Sequence, residues 1–336
     1  MPDRIETAAV VGAGYMGGGI AQSLALAGVE TTITDASAAA AEAALARLLA
    51  EAATFEAEGL YPAGAAQTIA AHLRAAESIE AAVAAVDFIE EAVFEDPTVK
   101  REVLARISAA ARPDAVIGSN TSTIPVKTLA AAVQGPERFL TVHFSNPAPF
   151  IPGVELVAGP LSDASVITVV RELLNRVGRQ TALVADVPGF VLNRLQYVLL
   201  KEATAIVEEG IAAAEDVDTL VRTTFGFRLG FFGPFAIADQ AGLDVYAGGF
   251  ATFEKAFGPR LATPALLSAA VTAGRHGIKN GHGLLADYGT ADADAVVAYR
   301  NRAYAEMGRL LRRLGPAPTG AVRTPASGAP SEPIEG

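Results

Sequence analysis

His143 and Glu155 lie in the string VHFSNPAPFIPGVELV, one at the end of an apolar run and the other at the next. An imidazole with a pKa of about 6.5 can accept a proton at neutral pH. A carboxylate beside it would fix the tautomer and stabilise the imidazolium. That pairing suits removal of a hydroxyl proton while a hydride leaves the same carbon. A structural histidine at a strand end is the alternative. The stretch between them, with Asn146-Pro147 and Phe150-Ile151-Pro152, breaks regular structure and lets the chain turn back. Taken alone, Ser122 and Asn193 read as capping or turn-bonding side chains.

A second constellation is the string VGAGYMGGG, in which Gly12, Gly14 and Gly17 have the GxGxxG spacing and Tyr15 and Met16 fill the variable positions. Gly12 permits a tight turn, Gly14 lets backbone approach a pyrophosphate, and Gly17 allows close helix packing. The free N–H groups at the helix start then face the anion. Asp35 closes the next apolar run, where a carboxylate can accept hydrogen bonds from a ribose 2′-hydroxyl and would repel a 2′-phosphate. NAD is therefore expected over NADP. A glycine-rich turn with an exposed aspartate is the alternative.

These residues need a scaffold, and the chain can supply one. At 336 residues and 51% hydrophobic it can fill two cores of ordinary size. Thr7 to Val11, Glu30 to Asp35, Asp87 to Val93, Ala115 to Gly118, Phe139 to Phe144, Val154 to Val157 and Gln180 to Ala185 read as strands. Between them, helices are expected over Ile20 to Ala27, from an N-cap at Ser37 to about Glu58, near Ala65 to Ala75, and over Pro97 to Ala111. The alternation predicts an α/β fold, a Rossmann-type doubly wound, mostly parallel sheet. After Pro188 the pattern becomes helical, beginning with Phe190 to Gly210. The expected domains are 1–187 and an all-α C-terminal unit over 188–314, followed by a Pro/Gly/Ala/Ser-rich tail over 315–336 that reads as disordered.

A net charge of -11 argues against a nucleic-acid partner. Disulfides and thiolate chemistry are excluded because there is no cysteine. His72, His276 and His282 lack metal-ligand spacing, so no metal is expected. Neither a signal peptide nor a membrane span is apparent, and a cytoplasmic location is expected.

Together, SNTST at Ser119 to Thr123, the His143 to Glu155 segment and DVPGFVLNRL at Asp186 to Leu195 resemble the 3-hydroxyacyl-CoA dehydrogenase family. The resemblance covers roughly residues 6 to 290. It implies a Rossmann domain followed by a helical domain that forms a homodimer, with NAD as cofactor. His143 becomes the general base, Glu155 its partner, and Ser122 and Asn193 hydrogen-bond the substrate oxygen or the histidine. Asn146 joins the substrate side. Glu91, Lys100 and Asn120 match positions near the cofactor, with a solvated helix position as the alternative for Lys100.

The sequence departs from the acyl-CoA pattern in two places. Segment 37–74 carries only Arg47 and Arg74 as cations against Glu42, Glu51, Glu56 and Glu58, a poor surface for a CoA phosphate. IPGVE has proline where acyl-CoA members often have lysine, and so resembles the free hydroxy-acid branches such as gulonate and carnitine dehydrogenases. Arg228, in GFRLGFF, resembles a carboxylate-binding arginine of those branches; a surface arginine is the alternative. The substrate is thus expected to be a small hydroxy acid, an acyl thioester, or a carrier-protein-bound acyl group. A catalytically silent NAD-binding structural protein is a different class, against which the intact Ser122, His143, Glu155 and Asn193 argue. Phe225, Phe227, Phe231, Phe232 and Phe235 suggest a buried dimer interface, with core packing as the alternative.

Overall fold

A computed structural model of the chain describes residue 2 and residues 4–318. The chain divides into two compact units that meet between Lys201 and Glu202. The first is built from β1 (Thr7–Val11), α1 (Tyr15–Leu26), β2 (Glu30–Thr34), α2 (Ala38–Ala57), α3 (Ala65–His72), β3 (Leu73–Ala75), α4 (Ile79–Val83) and β4 (Phe88–Glu91). It continues through α5 (Pro97–Ala110), β5 (Val116–Ser119), α6 (Val126–Ala130), β6 (Phe139–Phe144), β7 (Gly153–Ala158), α7 (Ala164–Arg176) and β8 (Gln180–Ala185), and α8 (Leu192–Glu208) crosses the junction.

The strands form one sheet in the order β3-β2-β1-β4-β5-β6-β7-β8. Every neighbouring pair is parallel except β6 and β7, which run antiparallel with His143 directly opposite Glu155. The order reverses between β1 and β4, and this topological switch opens a crevice at the carboxyl ends of the strands. Both faces are covered, which is why the central strands are apolar almost without interruption. One core packs Val10, Phe88, Val142 and Leu156 against α1, α2 and α7; the other packs Val11, Ile89, Ile117 and Phe139 against α5 and α6.

The helix starts follow local chemistry. Ser37 caps α2 by accepting from the Ala40 N–H, and Asp96 caps α5 ahead of Pro97 by accepting from Thr98 and Val99. One expectation is corrected: residues 73–75 are not the end of α3. Leu73 turns extended and this segment becomes β3, with Leu73 opposite Thr31 and buried at the sheet's end. The small helices α4 and α6 and the thirteen-residue α7 were not anticipated. α7 carries Val166, Val169, Val170, Leu173 and Leu174 on one buried face, a helical spacing that was legible.

The second unit contains α9 (Ala214–Thr223), α10 (Phe225–Leu229), α11 (Pro234–Ala241), α12 (Leu243–Phe257), α13 (Ala265–Thr272) and α14 (Thr290–Leu314). Buried Asp239 accepts from Leu284 N, Leu285 N and the Tyr288 hydroxyl, pinning the 283–288 loop. Burial, then this bond, pushes the Tyr288 phenol up to about 12. Phe227, Phe231 and Phe232 stack edge-on or tilted against Tyr304 or Tyr299, so these three rings pack within the unit. Residues 319–336 of the expected tail lie outside the described residues.

Candidate active site and dinucleotide cleft

The glycine turn after β1 meets each requirement of its spacing. Gly12 has φ +103, and a Cβ there would stand 2.6 Å from Ala92 O. At Gly17 a Cβ would lie 1.9 Å from Gly12 O, so only glycine lets α1 pack back on the turn. Gly14, by contrast, has nothing within 4 Å of that position and presents open backbone at the α1 N-terminus. Asp35 accepts from Ala13 N at 2.8 Å and Ala36 N at 2.7 Å, which fixes its carboxylate at the end of β2. Gly12, Gly14, Tyr15, Met16, Asp35, Asn120 and Ser122 all line one cleft of about 840 Å³. An open helix N-terminus and a fixed carboxylate in a cleft of this size fit a dinucleotide.

Glu91 and Lys100 do not line this cleft. Lys100 is 1% exposed and donates to Glu91 at 2.8 Å, while the other Glu91 oxygen accepts from Ser119 Oγ at 2.6 Å. The solvated-helix alternative for Lys100 is therefore corrected: its ammonium is buried between Glu91 and Glu95, the latter at 3.4 Å. Sequence reading missed Glu95, which does line the cleft. Its Oε1 gathers the SNTST loop by accepting from Thr121 Oγ1, Ser122 N and Thr123 N. Burial alone would raise its pKa, but those bonds and Lys100 hold it below the usual carboxylate range. Its place four residues after Glu91, at the start of the α5 capping segment, was the available signal.

His143 and Glu155 meet as cross-strand neighbours on one face. His143 Nδ1 lies 2.8 Å from Glu155 Oε2, and both side chains are largely buried. The second carboxylate oxygen, Oε1, accepts from Val191 N and Leu192 N at 2.9 Å each, where α8 begins. Gly189 at φ 74 and Phe190 at φ 49 turn the chain just before, and the buried Phe190 ring packs 5.8 Å from the imidazole. Burial opposes ionisation of Glu155, but the bond from His143, the two amides and the imidazole charge together hold its pKa below the usual value.

The SNTST loop and α8 are tied together. Asn193 Nδ2 donates to Ser122 O at 3.0 Å, while among the described residues the Ser122 hydroxyl has no protein partner. Asn120 Oδ1 accepts from Phe144 N at 2.8 Å, linking the same loop to the strand end that carries His143. Asn146 is exposed in the β6–β7 connection. Arg228 belongs to the second unit, where it lines a pocket of about 370 Å³ with Gln240, Arg300, Asn301 and Tyr304. Arg300 was missed because it reads as an ordinary arginine on a polar helix face. Among the described residues no cluster of three His, Cys, Asp or Glu side chains could hold a metal ion, and no helix is long and apolar enough to cross a membrane.

Comparison with known proteins agrees with this geometry. Residues 7–187 match the 3-hydroxyacyl-CoA dehydrogenase NAD-binding domain, and residues 189–287 match the C-terminal domain of the same family. The chain belongs to the 3-hydroxyacyl-CoA dehydrogenase family. Within that class it is an NAD-dependent dehydrogenase acting on a CH–OH group. It is 33% identical over 309 residues to 5-formyl-3-hydroxy-2-methylpyridine 4-carboxylate 5-dehydrogenase of Mesorhizobium japonicum, covering 91% of this chain and 98% of that one. Similarity to 3-hydroxybutyryl-CoA dehydrogenase of Mycobacterium tuberculosis is 35% over 312 residues, covering 84% and 99%. The crystal structure of a 3-hydroxyacyl-CoA dehydrogenase from Archaeoglobus fulgidus superposes with a TM-score of 0.73 at 30% identity, covering 92% of this chain and 99% of that one.

Proposed function

We propose that the protein interconverts a 3-hydroxy compound and its 3-oxo form, with His143 as general base and Glu155 as its fixed partner. The carrying observation is the 2.8 Å contact between His143 Nδ1 and Glu155 Oε2. With Glu155 ionised, the ring proton sits on Nδ1 and Nε2 keeps a lone pair for a substrate hydroxyl. Glu155 stays ionised and stabilises the imidazolium that proton uptake creates. The Ser122 hydroxyl and the Asn193 amide hold the substrate oxygen, and Asn146 borders that site. Bound NAD supplies hydride acceptance. Gly12, Gly14, Tyr15, Met16, Asp35 and Asn120 hold it directly, while Glu91 and Lys100 act from behind the cleft wall. Residues 1–187 serve the cofactor and 188–314 the substrate and a homodimer, in a cytoplasmic enzyme.

The test is His143→Gln. Turnover is expected to fall by about 10²–10⁴-fold, the usual worth of a positioned base, with NADH binding by fluorescence unchanged. Retained turnover would remove His143 from the chemistry.

A second reading of the substrate, a free carboxylic acid in place of a CoA thioester, has its own support. Arg228 and Arg300 line one pocket, and among the described residues neither pairs with a carboxylate. The Mesorhizobium relative is named for a substrate that is itself a carboxylate. Acetoacetyl-CoA, free 3-hydroxy acids and aromatic hydroxymethyl acids, followed by NADH absorbance, separate the two.

A further inference from the structure

Residues 145–152 join the strand of His143 to the strand of Glu155, and they lie directly on α1, the helix whose N-terminus faces the dinucleotide cleft. Gly19 provides the seat: a Cβ there would stand 2.7 Å from Pro149 Cδ and 3.3 Å from Ala148 Cβ. Phe150 adds an edge-on contact to Phe55 with ring centroids 5.3 Å apart. One side chain closes this contact. Arg179, immediately before β8, donates from Nη1 to Ile151 O at 3.2 Å, and from Nη2 to Pro149 O at 3.2 Å and Ser23 Oγ at 2.8 Å. The Ser23 hydroxyl in turn donates to Gly19 O at 2.8 Å, so a continuous chain of bonds runs from the connection to the helix backbone.

The charge state makes this more than ordinary packing. Arg179 is 9% exposed and has no carboxylate partner among the described residues, and its Nε is buried without an acceptor. Burial pushes its pKa down, opposed only by the neighbouring Tyr61. A buried cation without a counter-ion is costly. Its compensation here comes from two carbonyls of the connection and a hydroxyl of α1, which a planar fork of donors can reach from one position.

We propose that Arg179 is a positioning residue for the catalytic pair: its guanidinium fastens the His143–Glu155 connection to the cofactor helix, so that imidazole and dinucleotide cleft keep one fixed relation. This rests on the reading of His143 and Glu155 as the catalytic pair. Without the guanidinium the 145–152 connection lifts from α1, and Glu155 no longer meets the imidazole in a single geometry. An imbalance of about 1 Å at such a site is enough to lower turnover by about 10²-fold.

The test follows the His143 Nδ1–H proton by NMR at one fixed pH in the full-length protein, its low-field signal assigned by loss in His143→Gln. Glu155 is the charged side chain bonded to that ring among the described residues, so the signal reads their pairing. In Arg179→Met the signal is expected to move upfield or be lost to exchange as the bond loosens, with NADH affinity within about twofold of the parent. Arg179→Lys should recover part of it, because an ammonium reaches fewer of the three acceptors. Should Arg179→Met fail to fold, Arg179→Lys is read in the same way, with an intermediate shift expected. A folded variant whose His143 signal equals that of the parent, however much its melting temperature falls, overturns the proposal. Activity of His143→Gln is measured separately: its survival would sink the catalytic reading while leaving the Arg179 result to stand or fall alone.

Discussion

Glu155 touches His143 with one carboxylate oxygen and the first amides of α8 with the other, so a single side chain orients the imidazole and anchors the helix that carries Asn193. The two functions can be separated. Glu155→Gln retains an oxygen for Val191 N and Leu192 N but cannot neutralise an imidazolium. Turnover should fall by about 10²-fold or more, with a loss of stability at neutral pH limited to what the carboxylate's charge contributes. Glu155→Ala removes both, and should cost in addition about 0.5–2 kcal/mol, the usual worth of satisfied helix-start amides. Steady-state kinetics and denaturant titration on the two variants check this; equal stability losses in both would show that the amides do not depend on the carboxylate.

The same carboxylate sets an acid sensitivity. Its pKa is depressed in the folded chain relative to the ordinary 4.5. The unfolded chain therefore binds the proton first as pH falls, and stability present above about pH 4.5 is lost progressively toward the lower folded value. Glu155→Gln should flatten this part of the stability curve. Urea denaturation between about pH 3 and 7 tests the sign, and an unchanged acid slope in the variant would count against the assignment.

Glu90 gives the opposite sign. It is 0% exposed, neither carboxylate oxygen has a partner among the described residues, and burial, with Glu91 nearby, raises its pKa well above 4.5. Gly118 on the next strand makes the room, since a Cβ there would stand 2.2 Å from Glu90 Oε2. The folded chain holds this proton after the unfolded chain has lost it. Stability should therefore decline as pH rises above 4.5, by up to about 1.4 kcal/mol per pH unit until the folded pKa is reached. Glu90→Gln should remove that decline, giving a variant whose advantage over the parent grows as pH rises above 4.5. A parent curve with no such downward slope would mean the acid finds a partner in solution.

On the proposed reading of the cleft, cofactor choice depends on Asp35. It points its carboxylate into the cleft from the end of β2 while Ala13 N and Ala36 N hold it in place. Replacing it by Asn keeps an acceptor for Ala13 N and removes the charge that repels a 2′-phosphate. The ratio of kcat/KM for NAD over NADP should fall by about tenfold or more, on the scale of one lost charge-assisted hydrogen bond. Michaelis constants for both cofactors decide it, and an unaltered ratio would place the discrimination elsewhere.

Much of this was legible because it rests on short-range rules. GxGxxG spacing fixes where backbone must come close, apolar runs bounded by turn residues fix strands, and Ser37 and the Asp96-Pro97 pair mark helix starts. The His143–Glu155 pair was legible as two strand ends around a chain-breaking segment. What escaped depended on partners far along the chain. Residues 73–75 have a helical neighbourhood and become a strand only because β2 offers an unpaired edge. The solvated-helix alternative for Lys100 falls only when Glu91, on the adjoining strand, is seen to bury it. Glu95 stood at a legible place, just before the Asp96-Pro97 helix start, but its role depends on Thr121, Ser122 and Thr123, 26–28 residues further along.

Arg300 is the same kind of omission, and it carries the last prediction. Seventy-two residues separate it from Arg228, yet both line one pocket with Gln240, Asn301 and Tyr304. In a chain of net charge -11, two guanidiniums that pair with no carboxylate among the described residues form a local electropositive site, and a carboxylate is the anion whose two oxygens match such forks. Arg228→Met and Arg300→Met should each raise the Michaelis constant for a free hydroxy acid by about tenfold or more, the loss of about 1.4 kcal/mol or more of charge-assisted bonding. Turnover at saturation should change little, because uniform binding is what such a contact supplies. If both constants hold while the protein turns over acetoacetyl-CoA, the thioester reading gains and these arginines lose their substrate role.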